Sequence, residues 1–241
     1  MTVHGWIWQE YYYQFKISNS LTVKISSLLK LFFAYPLWLL FIAMFKNIST
    51  PTQCTADANK IRGSEVIFNS IFPEAYRNIP RADRKELGYG QQDVLIFTYS
   101  GIGCDRYYSA ERCIRVFNKV RKTNPNAYLL VFGDIDNLKQ YIEDPKGVIL
   151  LGYRQDFMNI IQDCDLFFTG KASPDLGFVE METAIFGVPI MKFNRDIKGK
   201  LFDQYLTSQK DGLIVSTEQE AVEVLTQFIN DRNEQKKKLG E

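Results

Sequence analysis

Histidine is nearly absent from this chain: 241 residues contain one, His4, and the four cysteines (Cys54, Cys104, Cys113, Cys164) form no CxxC pair. Together these shortages leave no zinc-ligand spacing and no second imidazole to serve as base for a thiol nucleophile. The cysteines read as reduced thiols of a cytosolic protein, with Cys54 and Cys164 packing as small apolar side chains. Excess charge of one sign is missing as well. Lys and Arg number 29 against 28 Asp and Glu, a formal net charge of +1, which removes the general electrostatic case for a nucleic-acid partner. An anionic small ligand held by local groups stays open. With 46% hydrophobic and 24% charged residues, the chain has globular proportions and suffices for one large or two small domains.

An uninterrupted apolar run of membrane-spanning length is also lacking. Ile25 to Phe45 comes nearest, but its apolar core, Leu31 to Phe45, falls short of the roughly 18 to 20 residues a span needs, and extending it takes in Lys30 and two serines. Pro36 is expected to kink it. The run starts too late and lacks the small-residue cleavage site of a signal peptide. Three readings remain: a core or interface helix pair, a membrane-surface helix, and a true span. Lys24, Lys30 and Lys46, with Tyr35 and Trp38, keep contact of residues 25–46 with a membrane surface open.

What is present is regular alternation. From Asp93 onward, strand patterns at Val94–Tyr99, Ala127–Phe132, Val148–Leu151, Leu166–Thr169, Pro189–Phe193 and Gly212–Val215 are separated by helical patterns. Those helices are placed at Ala110–Thr123, Leu138–Glu143, Asp156–Asp163, Lys200–Ser208 and Thr217–Lys237. Such alternation predicts an α/β doubly wound parallel sheet, preceded by a helical, partial Rossmann N-terminal segment. Residues 1–76 form that segment, 77–92 a linker and 93–241 a Rossmann-like domain. Before the linker, Thr52 reads as the N-cap of a helix over Gln53–Arg62.

The most informative stretch is Ser173-Pro-Asp-Leu-Gly-Phe-Val-Glu-Met-Glu-Thr-Ala-Ile-Phe-Gly-Val-Pro-Ile190. It places a glycine-bearing loop and a short helix between two strands, at the carboxyl edge where open α/β sheets bind nucleotides. Its spacing resembles the donor-sugar motif of the retaining, two-Rossmann-domain (GT-B) glycosyltransferases of family 4, Glu-Gly-Phe-Gly-Leu-x-x-Leu-Glu-Ala-x-Ala-x-Gly-x-Pro. Glu182, Thr183, Ala184, Gly187 and Pro189 match its end. Pro174 stands at the first Glu with Asp175 beside it, and Gly177-Phe178 are the remains of the Gly-Phe-Gly turn. Val66-Ile-Phe-Asn-Ser-Ile-Phe-Pro-Glu-Ala-Tyr76 also resembles the passage that closes the family's N-terminal domain.

The resemblance implies that Glu182 accepts hydrogen bonds from the donor ribose, as a carboxylate on the first turn of a helix. Amides near Gly177, Phe178 and Val179 would then face the sugar and its phosphates. Asp175 is the candidate substitute for the missing Glu. Tyr99-Ser-Gly-Ile-Gly-Cys-Asp-Arg106 supplies the tight turn at Gly101 and Gly103, with Arg106 as the cation that offsets the leaving diphosphate; a solvated surface Arg is the alternative. Gly152, Tyr153 and Arg154 are candidates for the base pocket, or for a plain turn in which Asp156 caps the following helix. His4 matches a family histidine near the transferred sugar, or is an ordinary strand-end residue. Asp136, in Gly133-Asp-Ile-Asp, reads as a helix cap, and no metal is assigned.

As a whole the resemblance implies transfer of a sugar, with retention, from a UDP- or GDP-linked donor to a glycan or lipid acceptor. The donor is substrate, and no cofactor is expected. Most of the acceptor-binding half lies outside the resemblance, so a fragment, a split gene or a reduced homologue is expected, with a partner chain as one way to complete the N-terminal domain. The location implied is cytoplasmic or peripheral at the membrane. The alternative is a catalytically silent Rossmann-type binding or scaffold module acting with a partner chain or membrane.

Overall fold

The structure, a computed structural model, describes residues 15, 21–44, 48–50, 61, 65–67, 70–101, 104–170, 177–193 and 213–239. The chain divides into two compact units, Met1–Ser70 with Ser173–Gly177, and Ile71–Ala172 with Phe178–Glu241.

In the first unit, helix α1 runs Leu21–Met44, and the short strands β1 (Ser49–Thr50) and β2 (Glu65–Val66) pair in parallel. Trp38 on α1 packs with Ile48 and Ile61 in a small buried cluster. Of the three readings left open for this stretch, the helix pair is not the one found: α1 is a single helix that continues through Pro36. Pro36 lies on the exposed side, where the carbonyl freed by the missing N–H can tilt outward. The helix placed at 53–62 falls outside the described residues except at its end.

The second unit holds a six-stranded sheet: β3 (Val94–Ser100), β4 (Ala127–Gly133), β5 (Val148–Gly152), β6 (Leu166–Thr169), β7 (Ile190–Phe193) and β8 (Leu213–Val215). Every pairing is parallel, and the spatial order is β5-β4-β3-β6-β7-β8. The chain thus winds outward from β3 in one direction and, after β5, outward from β6 in the other, which is the doubly wound arrangement. Val94, Leu95, Ile96 and Phe97 are all fully buried, because a strand covered on both faces needs a continuous apolar run rather than alternation.

Helices α2 (Cys104–Arg121) and α5 (Glu218–Leu239) cover one face, joining Ile114, Phe117 and Leu225 to Ile96, Val131 and Phe168. On the other face, α3 (Phe157–Ile161) and α4 (Phe178–Ile185) cover Leu95, Phe97, Leu130 and Phe167. Helix α2 starts six residues before the expected Ala110, because its first turn carries few apolar residues to reveal its period. The pattern at Leu138–Glu143 becomes only a 3-10 turn, Lys139–Tyr141, and that at Asp156–Asp163 shrinks to α3. The helix placed at 200–208 falls outside the described residues.

Two expected caps are corrected. The Asp156 side chain makes no capping bond; both its oxygens take Arg154, Nε to Oδ1 and Nη2 to Oδ2, each at 2.7 Å. Asp136 gives its amide to Asp134 Oδ1, while the 3-10 turn begins at Leu138 with no side-chain cap.

At the amino edge of the sheet, Asp165 is 3% exposed. Its Oδ2 accepts from Arg84 Nη2 and from the Leu95 amide, both at 2.9 Å, and its Oδ1 accepts from Arg232 Nη2 at 2.7 Å. Arg84 also donates to the carbonyls of Asp93 and Asp163 and pairs with the Asp163 carboxylate at 2.6 Å. Burial alone would lower the Arg84 guanidinium, but the Asp165 and Asp163 carboxylates beside it hold it above its ordinary value. One carboxylate therefore ties together the Arg84 segment, β3, β6 and α5. Asp165→Ala leaves the buried Arg84 with Asp163 as its one remaining carboxylate and the Leu95 amide without its acceptor, and is expected to lower the unfolding free energy by about 2–4 kcal/mol, read from urea unfolding at unchanged m. A loss below about 1 kcal/mol would place the pair among weak surface bridges instead.

Candidate functional site

The strand order reverses between β3 and β6, and at such a switch point the loops leaving neighbouring strands diverge to opposite faces and open a crevice at the carboxyl edge. Two glycines let the backbone close up beside it. Gly133, with φ of +88°, would place a Cβ 1.9 Å from the Ser100 carbonyl oxygen, and Gly170 would place one 2.2 Å from that of Ser109. No side chain fits at either position. The approach at Gly133 is fixed further by the Asp134 amide, which donates to the Ser100 carbonyl at 2.7 Å.

Around the crevice, Ser100 and Ser109 are 0% and 3% exposed, and neither hydroxyl has a hydrogen-bond partner among the described residues. A buried hydroxyl left over in this way calls for an explanation, and a ligand at the edge supplies one. Gly101 is buried at the end of β3. Arg106 lies in the first turn of α2, the end of the helix where free amides and the dipole favour anions.

Helix α4 follows the loop after β6. Phe178 is its first residue and 57% exposed; Val179 packs partly buried against the core, and Gly177 immediately precedes the helix. Because α4 starts at Phe178, Glu182 stands in its second turn rather than the first, which corrects its expected placement. The first-turn carboxylate is Glu180, and it is 4% exposed. Glu180 Oε1 lies 3.9 Å from Nζ of Lys192, itself 1% exposed on β7.

Glu182 is half-buried and its Oε1 accepts from the Tyr76 hydroxyl at 3.0 Å. Burial raises its carboxyl above the ordinary range and the nearby Glu180 adds to this, while the Tyr76 hydrogen bond opposes it. Tyr76 also meets Phe186 edge-on, with ring centroids 6.0 Å apart. The two rings border a groove of about 460 Å³ with Pro73, Arg77, Arg81, Gln162 and Ile185.

At the far side of the sheet, Gly152 ends β5 with φ of +69°. Tyr153 is 62% exposed, and Arg154 is committed to Asp156. With strands about 4.8 Å apart, this turn lies two strands from the crevice, a separation that suits one extended ligand lying along the edge. The structure thus brings together Gly101, the first turn of α2 and Gly170 at the end of β6, and sets Gly152 to Arg154 further along the same edge. His4, Gly103 and Asp175 fall outside the described residues.

Tyr76, Glu180, Lys192, Ser100 and Ser109 were not singled out from sequence. Only Lys192 left a trace there, as the one charge inside the apolar run Val188–Phe193.

Residues 84–241 match the family model described as glycosyl transferases group 1, and the chain belongs to that family. No curated protein sequence matches the chain. Among solved structures, Anabaena Alr3699/HepE in complex with UDP and glucose is similar at TM-score 0.65 and 17% identity, over 85% of this chain and 59% of that one. WaaG, a glycosyltransferase involved in lipopolysaccharide biosynthesis, is similar at TM-score 0.60 and 16% identity, over 76% and 53%. TarM is similar at TM-score 0.62 and 16% identity, over 80% and 39%. The chain therefore spans less than two thirds of the length of these structures. The likeness establishes the GT-B Rossmann-like fold.

The Glu182 environment has a pH consequence. A carboxyl raised in the folded state contributes stability below its unfolded value, and that contribution is lost as pH rises through the folded value. Wild type is therefore expected to lose stability as pH climbs out of the ordinary carboxylate range, and Glu182→Gln, which still accepts from Tyr76, to flatten that decline. Parallel thermal melts across the window check this; equal slopes in both proteins would contradict it.

Proposed function

We propose that this chain is a retaining glycosyltransferase of the family 4 type, or the donor-binding part of one, taking a UDP- or GDP-linked sugar and delivering it to a hydroxyl of a glycan or lipid acceptor. The observation that supports this most is the switch point between β3 and β6, with the start of α2 beside it and two serine hydroxyls buried without a hydrogen-bond partner among the described residues. The structures similar to this chain include one with UDP and glucose and one with UDP-glucose. In this reading the diphosphate lies at the start of α2 with Arg106 offsetting its charge, the ribose hydroxyls turn to Glu182, and the base lies toward Gly152, Tyr153 and Arg154. Gly177, Phe178, Val179, Asp175 and His4 belong to the sugar side.

The reaction breaks the bond between the sugar anomeric carbon and the diphosphate oxygen and forms one to the acceptor oxygen, whose proton passes to the departing diphosphate. Positioning and stabilisation of that diphosphate are the work of the protein. The donor is substrate, and the reading assigns no metal and no cofactor. It places the protein in the cytoplasm, with a partner chain completing the acceptor side.

A second reading is a catalytically silent Rossmann-type binding or scaffold module acting with a partner chain or membrane, in which the Tyr76 hydroxyl at Glu182 Oε1 leaves a bound nucleotide short of the geometry for transfer. Calorimetry with UDP and GDP tests the binding that both readings share. Saturable binding of one nucleotide is expected, weakened roughly tenfold to a hundredfold by Glu182→Ala, the scale of a hydrogen bond to a charged group. No binding of either nucleotide, or an unchanged affinity in the variant, would overturn the assignment. Donor hydrolysis or transfer that Arg106→Ala abolishes separates the enzyme from the silent module.

A further inference from the structure

Helix α1 contains 24 residues and neither Asp nor Glu. At 1.5 Å per residue it is about 36 Å long, and among the described residues it is the one helix long and apolar enough to cross a membrane by length and composition. Its two sides differ. Ser27 and Trp38 are 1% and 5% exposed, Trp38 packing on Ile48 and Ile61. On the opposite side, Ile25, Leu29, Phe32, Phe33, Leu37 and Leu40 are all at least half exposed. With Leu28, 54% exposed, these side chains spread over about half of the helix circumference at 100° per residue. Phe32 and Phe33, 74% and 62% exposed, meet edge-to-face at the middle of that side. Lys24 and Lys30 stand at its two borders.

We infer that the exposed side of α1 docks onto an anionic lipid surface, with the helix lying in the plane of the headgroups. Three features favour this occupant. An apolar face half a helix wide exceeds the narrow stripe that a helix-to-helix seam covers. Cations at both borders and no carboxylate anywhere along α1 complement anionic headgroups. The buried side, held on Ile48 and Ile61 by Trp38, is covered by protein, whereas a helix that spans alone meets lipid all round. The inference does not depend on the donor site. It does agree with an acceptor carried by a lipid.

The test is sedimentation of the full chain with phosphatidylcholine vesicles, with and without phosphatidylglycerol. Binding is expected to the vesicles containing phosphatidylglycerol, to weaken with added salt and to be released by alkaline carbonate. Phe32→Ser with Phe33→Ser should weaken partitioning at least tenfold, since each buried aromatic side chain contributes roughly a tenfold factor or more. Lys24→Gln with Lys30→Gln should remove most of the salt dependence. Because Phe32 and Phe33 are exposed, thermal unfolding should be unchanged in the phenylalanine variant, and Glu182→Ala should bind vesicles as wild type does. Failure to sediment with either vesicle overturns the inference. So does resistance to carbonate, which indicates a span, or self-association that disappears with the phenylalanine changes, which indicates a second copy as occupant.

Discussion

Asp165 is a carboxylate almost wholly removed from water, and a charge so placed persists only if partners replace its hydration. Arg84, Arg232 and the Leu95 amide do so, and those partners come from the Arg84 segment, α5 and β3. The central strands of the sheet are thus locked together at their amino ends. At the opposite edge the backbone closes up over Gly133 and Gly170, and two serine hydroxyls are buried with no partner among the described residues. These hydroxyls are the reason for proposing the carboxyl edge as the ligand end.

Most of the sheet could be read from composition, because parallel strands buried on both faces announce themselves as short apolar runs between polar turns. The start of α2 could not. Cys104 to Ser109 carry too little periodic apolar character to mark a helix, and the glycines before them suggest a longer loop. The site was legible only in part. Glu182 stood out through its spacing to Gly187 and Pro189, but helix register alone decides that Glu180 turns inward to Lys192 while Glu182 meets Tyr76. Tyr76 lies 106 residues away from Glu182 in sequence, and nothing local announces such a pair.

The two halves of the chain answer different questions. The sheet unit carries the fold and the family, and the proposed reading puts a nucleotide diphosphate at its carboxyl edge. The N-terminal unit, through the exposed side of α1, is suited to a lipid surface. A transferase that takes a soluble donor and serves a membrane-bound acceptor needs both properties. Tyr76 adds a further constraint, because a ribose that uses Glu182 has to share or displace the phenol hydroxyl.

The account stands on the carboxyl edge of the sheet being the ligand site. Hydrogen–deuterium exchange of the full chain with and without saturating UDP measures this directly. Slowed exchange is predicted at Gly101, the first turn of α2, the turn after Gly152 and the start of α4, with the amides around Asp93 and Asp165 unchanged. Protection confined to the groove beside Tyr76 and Phe186, or to the amino edge, or no protection at all, would contradict it.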